Sequence, residues 1–193
     1  MPKLGMEPIR RAALVKATIT EVGQAGSLDV TVAQIARRAG MSSALAHHYF
    51  GSKERMFLAA MRHILRLYGA EVRGALAAAE GPRGRLNAVI RASFSSGNFR
   101  HEVVAAWLNF YVLAQVMPEA RRLLRVYQQR LQSNLVHELH HLDAVAAAGI
   151  ARGVAALIDG LYIHEALSNG QPDGRAAAAV VLDYLDAQMA VRG

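Results

Sequence analysis

Apolar residues recur at intervals of three and four along most of this 193-residue chain, and this spacing predicts helices rather than strands. Alanine and leucine recur throughout, and only five prolines interrupt them. Glycine, proline, asparagine or aspartate separates the periodic segments, most clearly at residues 81–84. We therefore expect an all-α protein of about nine helices. The predicted helices cover approximately residues 7–26, 32–39, 43–50, 53–79, 85–96, 102–116, 118–141, 144–168 and 173–191.

Residues 31–50 contain the pattern of a helix-turn-helix, in which a glycine turn joins two short helices. Thr31 and Ser42 are hydroxyl residues that suit the N-caps of these helices. Gly40 can adopt the left-handed conformation that ends the first helix abruptly. Ala36 is small at the point where the helices must cross. A helical hairpin that only fills a core is the alternative, but caps, turn and crossing residue all fall in register.

The second helix of the motif leaves small and polar side chains on its outer surface, as a recognition helix in the major groove requires. Ser43 and Ala44 permit close approach to base edges, and His47 and His48 can hydrogen-bond to a base. Tyrosine and lysine at the helix end suit phosphate contacts, which position a protein without reading sequence. The predicted DNA-binding residues are Thr31, Ser42, Ser43, Ala44, His47, His48, Tyr49 and Lys53, with Arg10 and Arg11 from the first helix.

Basic residues are concentrated at the end of the chain that contains this motif. Residues 1–62 hold nine Lys and Arg against four Asp and Glu, which is +5 of the formal net charge of +7. Positive charge favours a polyanion through counterion release. Charge of this size is also ordinary surface chemistry, so it is the coincidence with the helix-turn-helix that favours double-stranded DNA as a partner.

The run from His48 to Lys53, HYFGSK, resembles the end of the recognition helix in the TetR family of one-component repressors. Other parts of the chain resemble the BetI subfamily, the choline-responsive repressors of glycine-betaine synthesis. The segments that carry this second likeness are 1–6, 106–108, 131–136 and 156–161.

These resemblances imply a helix-turn-helix DNA-binding domain at residues 1–52 and a ligand-sensing and dimerisation domain at residues 53–193. They also imply a homodimer on a palindromic operator, with operator binding modulated by choline. A repressor that responds to a different small cationic or apolar effector is the alternative. No cofactor is expected.

Aromatic residues with helical spacing mark a candidate effector site. Trp107, Phe110 and Tyr111 share one helical face, and Asp159 and Tyr162 repeat the i, i+3 spacing on another helix. Aromatic faces bind quaternary ammonium groups, and a nearby carboxylate supplies the opposite charge. Ordinary core packing is the alternative, although an acid within an apolar helix is costly to bury unless it is paired. The predicted ligand-binding residues are Trp107, Phe110, Tyr111, Tyr127, Asp159 and Tyr162.

Small residues in the last two predicted helices allow close helix approach, and apolar residues beside them supply area for an interface. An intramolecular core is the alternative for these residues. The resemblance to TetR-family dimers, which pair their last two long helices, favours an interface between two copies. The predicted dimer-interface residues are Gly149, Gly153, Leu157, Leu161, Val181 and Leu185.

Residues 137–141, HELHH, match the H-E-x-x-H zinc signature, which makes a zinc-dependent hydrolase an alternative function. No third ligand or supporting extension follows, so we expect His137, Glu138 and His141 to form a solvated polar face. No phosphate loop or nucleophile elbow is present either, and the chain is not expected to be an enzyme. A nucleoid-type DNA binder without an effector is a third alternative.

The chain contains no cysteine, which excludes disulfides and thiolate metal sites. It also lacks a run of about twenty uncharged apolar residues and an apolar signal core, so neither a membrane span nor secretion is expected. The cytoplasm is the expected location.

Overall fold

The computed structural model describes residues 6–190, and these residues form nine α-helices and no strand, which confirms the all-α prediction. The predicted end of the last helix, at residue 191, lies outside the described residues. None of the described helices is long and apolar enough to cross a membrane. The helices are α1 (Met6–Ala25), α2 (Val32–Arg38), α3 (Ser43–Phe50), α4 (Lys53–Ala78), α5 (Gly81–Ser93), α6 (His101–Val116), α7 (Pro118–His140), α8 (Ala147–Ala166) and α9 (Gly174–Ala190).

Hydroxyl side chains begin the helices of the N-terminal part, as their positions in the sequence predicted. Thr31 Oγ1 accepts from the backbone N–H of Gln34 at 3.2 Å, and the Gln34 side chain accepts from Thr31 N at 2.7 Å, a capping box. Ser42 Oγ accepts from the backbone N–H of Leu45 and caps α3, and Ser52 Oγ accepts from that of Arg55 and caps α4, both at 3.2 Å. Gly40 has a φ of 67°, which lets the chain turn sharply between α2 and α3.

The predicted break at residues 81–84 is wrong, because α5 begins at Gly81 and includes this segment. Pro82 lies in the first turn, where a backbone N–H would have no helical partner, so its missing donor costs nothing. Helix α8 begins three residues later than expected. Asp143 Oδ1 accepts from the backbone N–H groups of Val145 and Ala146, both at 3.0 Å, and this holds a turn ahead of the helix.

The buried side chains form one cluster that extends from α1 to α9. Helix α4 begins at the predicted domain boundary and packs against α1 on one side and α5 on the other. Helix α1 also packs along α6, so the helix-turn-helix region contacts the remainder of the chain through two helices rather than one. Helix α8 lies among α6, α7 and α9.

The crossing of α1 and α6 is tight at Gly23. A Cβ atom at this position would lie 2.5 Å from Glu102 Cβ and 2.6 Å from Glu102 Cα. Close by, the Asn109 side-chain amide donates to the Gly26 carbonyl at 3.2 Å. The backbones of α1 and α6 are therefore in close contact at this point, and the Asn109 hydrogen bond links α6 to the residue that follows α1.

Replacing Gly23 by alanine forces a backbone to shift, because the obstructing atoms include the main chain of α6. We expect Gly23→Ala to lower the free energy of unfolding by about 1–3 kcal/mol, the usual cost of overpacking. Gly74→Ala is the matched control, since Gly74 lies within α4 and a Cβ atom added to it would have no neighbour within 4 Å. This control should raise stability by about 0.5–1 kcal/mol. Urea denaturation measures both, and a Gly23→Ala protein as stable as wild type would contradict the tight crossing.

Candidate DNA-reading surface and effector site

Helix α3 has one buried face and one exposed face, as a recognition helix requires. Ala46 is fully buried, whereas Ala44, His47 and His48 are exposed and Ser43 is partly exposed. Thr31 and Ser42 are also exposed, but their hydroxyls already accept the capping hydrogen bonds. The expected base-reading side chains thus share the solvent side of one short helix.

The structure fixes the orientation of one candidate base reader, His47. Its Nδ1 atom lies 3.1 Å from the Gly51 carbonyl oxygen, one turn further along the chain. Because a carbonyl can only accept, Nδ1 must carry the proton, and the neutral ring then offers Nε2 as an acceptor. An outward acceptor suits the exocyclic amino group of adenine or cytosine in the major groove.

Arg11 was expected to contact a DNA phosphate, but its guanidinium packs against other side chains of the protein. Its guanidinium carbon is 5.4 Å from the Tyr49 ring centroid and 5.2 Å from that of Phe50, and its Nε donates to Glu7 at 2.8 Å. These contacts attach the end of α3 to α1, and they engage the guanidinium with side chains of the protein itself. Arg10 is exposed, and Lys53 is partly exposed at the start of α4.

The structure brings the predicted effector-binding residues together from three helices. Trp107, Phe110 and Tyr111 come from α6, Tyr127 from α7 and Tyr162 from α8, and all except Tyr111 are buried. Trp107 is the centre of this aromatic cluster. Its ring centroid lies 4.6 Å from that of Tyr127, 5.7 Å from Tyr111, 5.8 Å from Phe110 and 5.9 Å from Tyr162.

Asp159 places a carboxylate at the edge of this aromatic cluster. The Tyr111 hydroxyl donates to Asp159 Oδ1 at 3.0 Å. Burial raises the pKa of Asp159 from its ordinary value of 3.8, against the opposing effect of hydrogen bonds from Tyr111 and Gln128. The carboxylate is therefore short of compensating positive charge, and a cation close to it would favour the ionised form.

The aromatic rings are packed on one another rather than held apart. A quaternary ammonium group must lie against ring faces, within about 6 Å of each centroid. It cannot lie between Trp107 and Tyr127 while their centroids are only 4.6 Å apart. Ligand entry at this point requires α6 and α7 to move their aromatic side chains apart.

Three aromatic residues that were not predicted as ligand residues complete the cluster. Tyr68 of α4 contacts Tyr127 at 5.8 Å between centroids, and Phe99 contacts Tyr162 at 4.9 Å. Phe94 stacks on Tyr162 at 5.9 Å. Phe94 and Phe99 flank the connection between α5 and α6, where no helical spacing reveals a shared face. Tyr68 is on the apolar stripe of α4, and only the tertiary fold shows what that stripe contacts.

The segment with the zinc signature is only partly the solvated face that was expected, because His137 and His141 are exposed and Glu138 is buried. Glu138 is only 4% exposed, and its Oε1 accepts from Arg85 Nε at 2.7 Å. A carboxylate bound to an arginine in the core is not free to activate water. No group of three or more His, Cys, Asp or Glu suited to a metal ion occurs among the residues that the structure describes.

The predicted dimer residues fall into two sets. Val181 and Leu185 are fully buried inside the single chain, so their assignment to an interface is wrong. They lie on the face of α9 that packs against α5 and α8. Gly153 accommodates Tyr184 of α9, because a Cβ there would lie within 3.0 Å of the tyrosine ring. Leu157 and Leu161 are partly exposed, and Gly149 is exposed.

Comparison with known proteins agrees with this arrangement. Residues 14–60 match the family "Bacterial regulatory proteins, tetR family", and residues 82–190 match the family "BetI-type transcriptional repressor, C-terminal". The chain belongs to the TetR family. Its C-terminal match covers more than half of the sequence and is of the BetI type.

Curated relatives match this TetR-family chain over almost its full length. The HTH-type transcriptional regulator BetI of Brucella anthropi is 52% identical over 190 residues, which cover 98% of each chain. The regulator of the same name in Agrobacterium fabrum is 51% identical and covers 98% of this chain and 92% of its own. The relatives are DNA-binding transcriptional regulators, so the chain is a regulator of the BetI type and not an enzyme.

Solved structures share the fold. A transcriptional regulator of Pseudomonas aeruginosa PAO1 has a TM-score of 0.75 at 26% identity, covering 97% of this chain and 93% of its own. A transcriptional regulator of Saccharomonospora viridis, solved in complex with choline, has a TM-score of 0.80 at 20% identity and covers 91% and 95%. An N-terminal helix-turn-helix followed by a helical C-terminal part is thus the architecture of this chain.

Proposed function

We propose that this TetR-family repressor senses choline through the aromatic cluster around Trp107 and controls genes for glycine-betaine synthesis. The observation that carries the proposal is the aromatic cluster with a single under-compensated carboxylate, Asp159, at its edge. Quaternary ammonium groups cannot donate hydrogen bonds and are recognised by aromatic faces together with one negative charge. The BetI name of the relatives and the choline-bound regulator of S. viridis support the same effector class.

Ligand entry is coupled to DNA binding through α6. Trp107 on one face of this helix must leave Tyr127 to admit a cation, while Glu102 and Asn109 on another face hold α1. A displacement of α6 is therefore transmitted to the helix that carries α2 and α3. Tyr68 provides a second connection, because it contacts Tyr127 and lies on α4, which begins directly after α3.

Two copies of the chain bind one palindromic operator, with α8 and α9 forming the dimer interface. Both helices have small residues exposed on their surfaces, namely Gly149 and Gly160 on α8 and Ala179 on α9. Val180 of α9 is 49% exposed beside them. Small residues permit close helix packing, and the two-fold axis of such a dimer matches the symmetry of a palindrome. Because its target is chromosomal DNA, the protein acts in the cytoplasm.

Asp159→Asn tests the effector site, since asparagine retains the shape and the Tyr111 hydrogen bond but not the charge. We expect choline to bind about tenfold more weakly to this variant, a loss of about 1.4 kcal/mol. Wild-type affinity should fall as the pH drops through the raised pKa of Asp159, above 3.8, because protonation removes the charge. Fluorescence of Trp107, the single tryptophan, reports binding.

The uncharged analogue 3,3-dimethylbutan-1-ol serves as the control ligand. Its affinity should not depend on pH in this range or on the Asp159→Asn change, because it carries no charge. Equal losses of affinity for choline and for the alcohol would mean that Asp159 acts through structure rather than through its charge.

His47 and Lys53 are expected to contribute to operator binding in different ways. His47→Ala should reduce affinity for the selected operator by about 1–3 kcal/mol while leaving affinity for random DNA nearly unchanged. Lys53→Gln should weaken both and reduce the dependence on salt by about one phosphate contact. Fluorescence anisotropy over a range of salt concentrations distinguishes them. If His47→Ala weakened binding to both DNAs equally, His47 would not be a base reader.

The dimer interface is tested with an exposed valine on α9. Val180→Asp places a charge in the proposed apolar contact and should convert the dimer to a monomer in light scattering. Val112→Asp is the matched control, because Val112 is 57% exposed and lies on α6, which is not one of the two helices of the proposed interface. A Val180→Asp protein that stays dimeric would place the interface elsewhere.

A further inference from the structure

A cavity of about 320 Å³ lies where the helix-turn-helix region meets the effector region. It is bounded by α1, α4 and the segment that leads into α6, and it is open to solvent on one side. Its polar side chains differ in kind from those of the aromatic cluster, because cationic groups dominate. The cavity is lined by Lys16, Ile19, Thr20, His63, Ile64, Leu67, Gly97, Asn98, Arg100 and Val103.

Lys16, His63 and Arg100 bring three basic groups from three segments of the chain to this cavity. No carboxylate is among the described lining residues. Two acids contact lining residues from outside the cavity: Glu102 lies 3.7 Å from Arg100, and Glu71 accepts from the Asn98 amide at 2.8 Å. The cavity therefore has an excess of positive charge that the neighbouring acids compensate only at its edge.

The excess of positive charge affects the pKa of His63. Burial lowers the pKa of His63, and Arg66, Lys16 and Arg100 lower it further by charge repulsion. Arg66 also lies 3.3 Å from His63 Nδ1, and because a guanidinium can only donate, that nitrogen is an acceptor. The remaining proton is then on Nε2, so the neutral ring still has one N–H to donate.

We propose that this cavity binds a small divalent oxyanion such as sulfate or hydrogen phosphate, held by Lys16, His63 and Arg100. Lysine and arginine are the usual partners of such anions, and Thr20 adds a hydroxyl donor. A water molecule occupies about 30 Å³ in the liquid. A cavity of about 320 Å³ is several times larger and therefore has room for the ion together with part of its hydration shell. The bound anion ties α1 to α4 and to the start of α6.

The anion should be detected through the imidazole of His63 by NMR titration of the full-length protein without DNA or choline. A divalent anion a few ångströms away favours the charged ring, so sulfate should raise the pKa of His63 by about one pH unit or more relative to chloride at equal ionic strength. The His63→Gln protein identifies the signal among the eight histidines.

The double variant Lys16→Gln and Arg100→Gln removes two proposed ligands, and both side chains are exposed, so the fold should be kept. The sulfate-induced rise should disappear in this variant and persist in Lys53→Gln, which loses a basic residue on the proposed DNA-binding surface instead. An unchanged wild-type pKa in sulfate would overturn the proposal. So would an equal rise in the double variant.

Discussion

The close crossing of α1 and α6 at Gly23 is the constraint on which the proposed regulation depends. A Cβ atom at Gly23 would lie 2.6 Å from the Cα of Glu102, so the backbones of α1 and α6 approach closely there. Helix α6 also carries Trp107, Phe110 and Tyr111, so the same helix forms part of the effector site and part of the contact with α1. We therefore propose that a change in side-chain packing in the cluster is transmitted through this crossing to α1.

The electrostatics of the aromatic cluster indicate which rearrangement a cationic effector would favour. In the structure the aromatic rings contact one another, and hydrogen bonds from Tyr111 and Gln128 oppose the effect of burial on Asp159, which forms no ion pair with any described residue. In the proposed mechanism, a bound cation improves the environment of Asp159 and at the same time separates Trp107 from Tyr127. The effector thus stabilises an arrangement different from the closed one, and a difference in affinity for two arrangements is what allosteric regulation requires.

Local chemistry in the sequence predicted the helix-turn-helix well. Thr31, Gly40 and Ser42 each act through their own backbone or through residues three positions away, so their roles are readable without the fold. The i, i+3 spacing of the aromatic residues likewise predicted which side chains share a helix face. That they meet across helices depended on tertiary packing, and Phe94 and Phe99 could not be found because they flank a connection between helices.

The errors arose where a residue has a partner far away in the sequence. The sequence pattern predicted Glu138 at the surface, but the structure buries it beside Arg85. The pattern predicted Val181 in the dimer interface, but this residue is buried where α9 packs within the single chain. The segment at 81–84 failed for a different reason: proline and glycine end a helix in its interior but are tolerated in its first turn, and the sequence pattern alone does not distinguish the two.

In the proposed regulation, choline and operator DNA bind to different conformations of this protein. The most direct measurement is the dissociation constant for the operator, selected from random DNA, with and without saturating choline at fixed salt. We predict an operator affinity about one hundredfold weaker in choline, which corresponds to about 2.7 kcal/mol of coupling. An operator affinity that saturating choline leaves unchanged would contradict it.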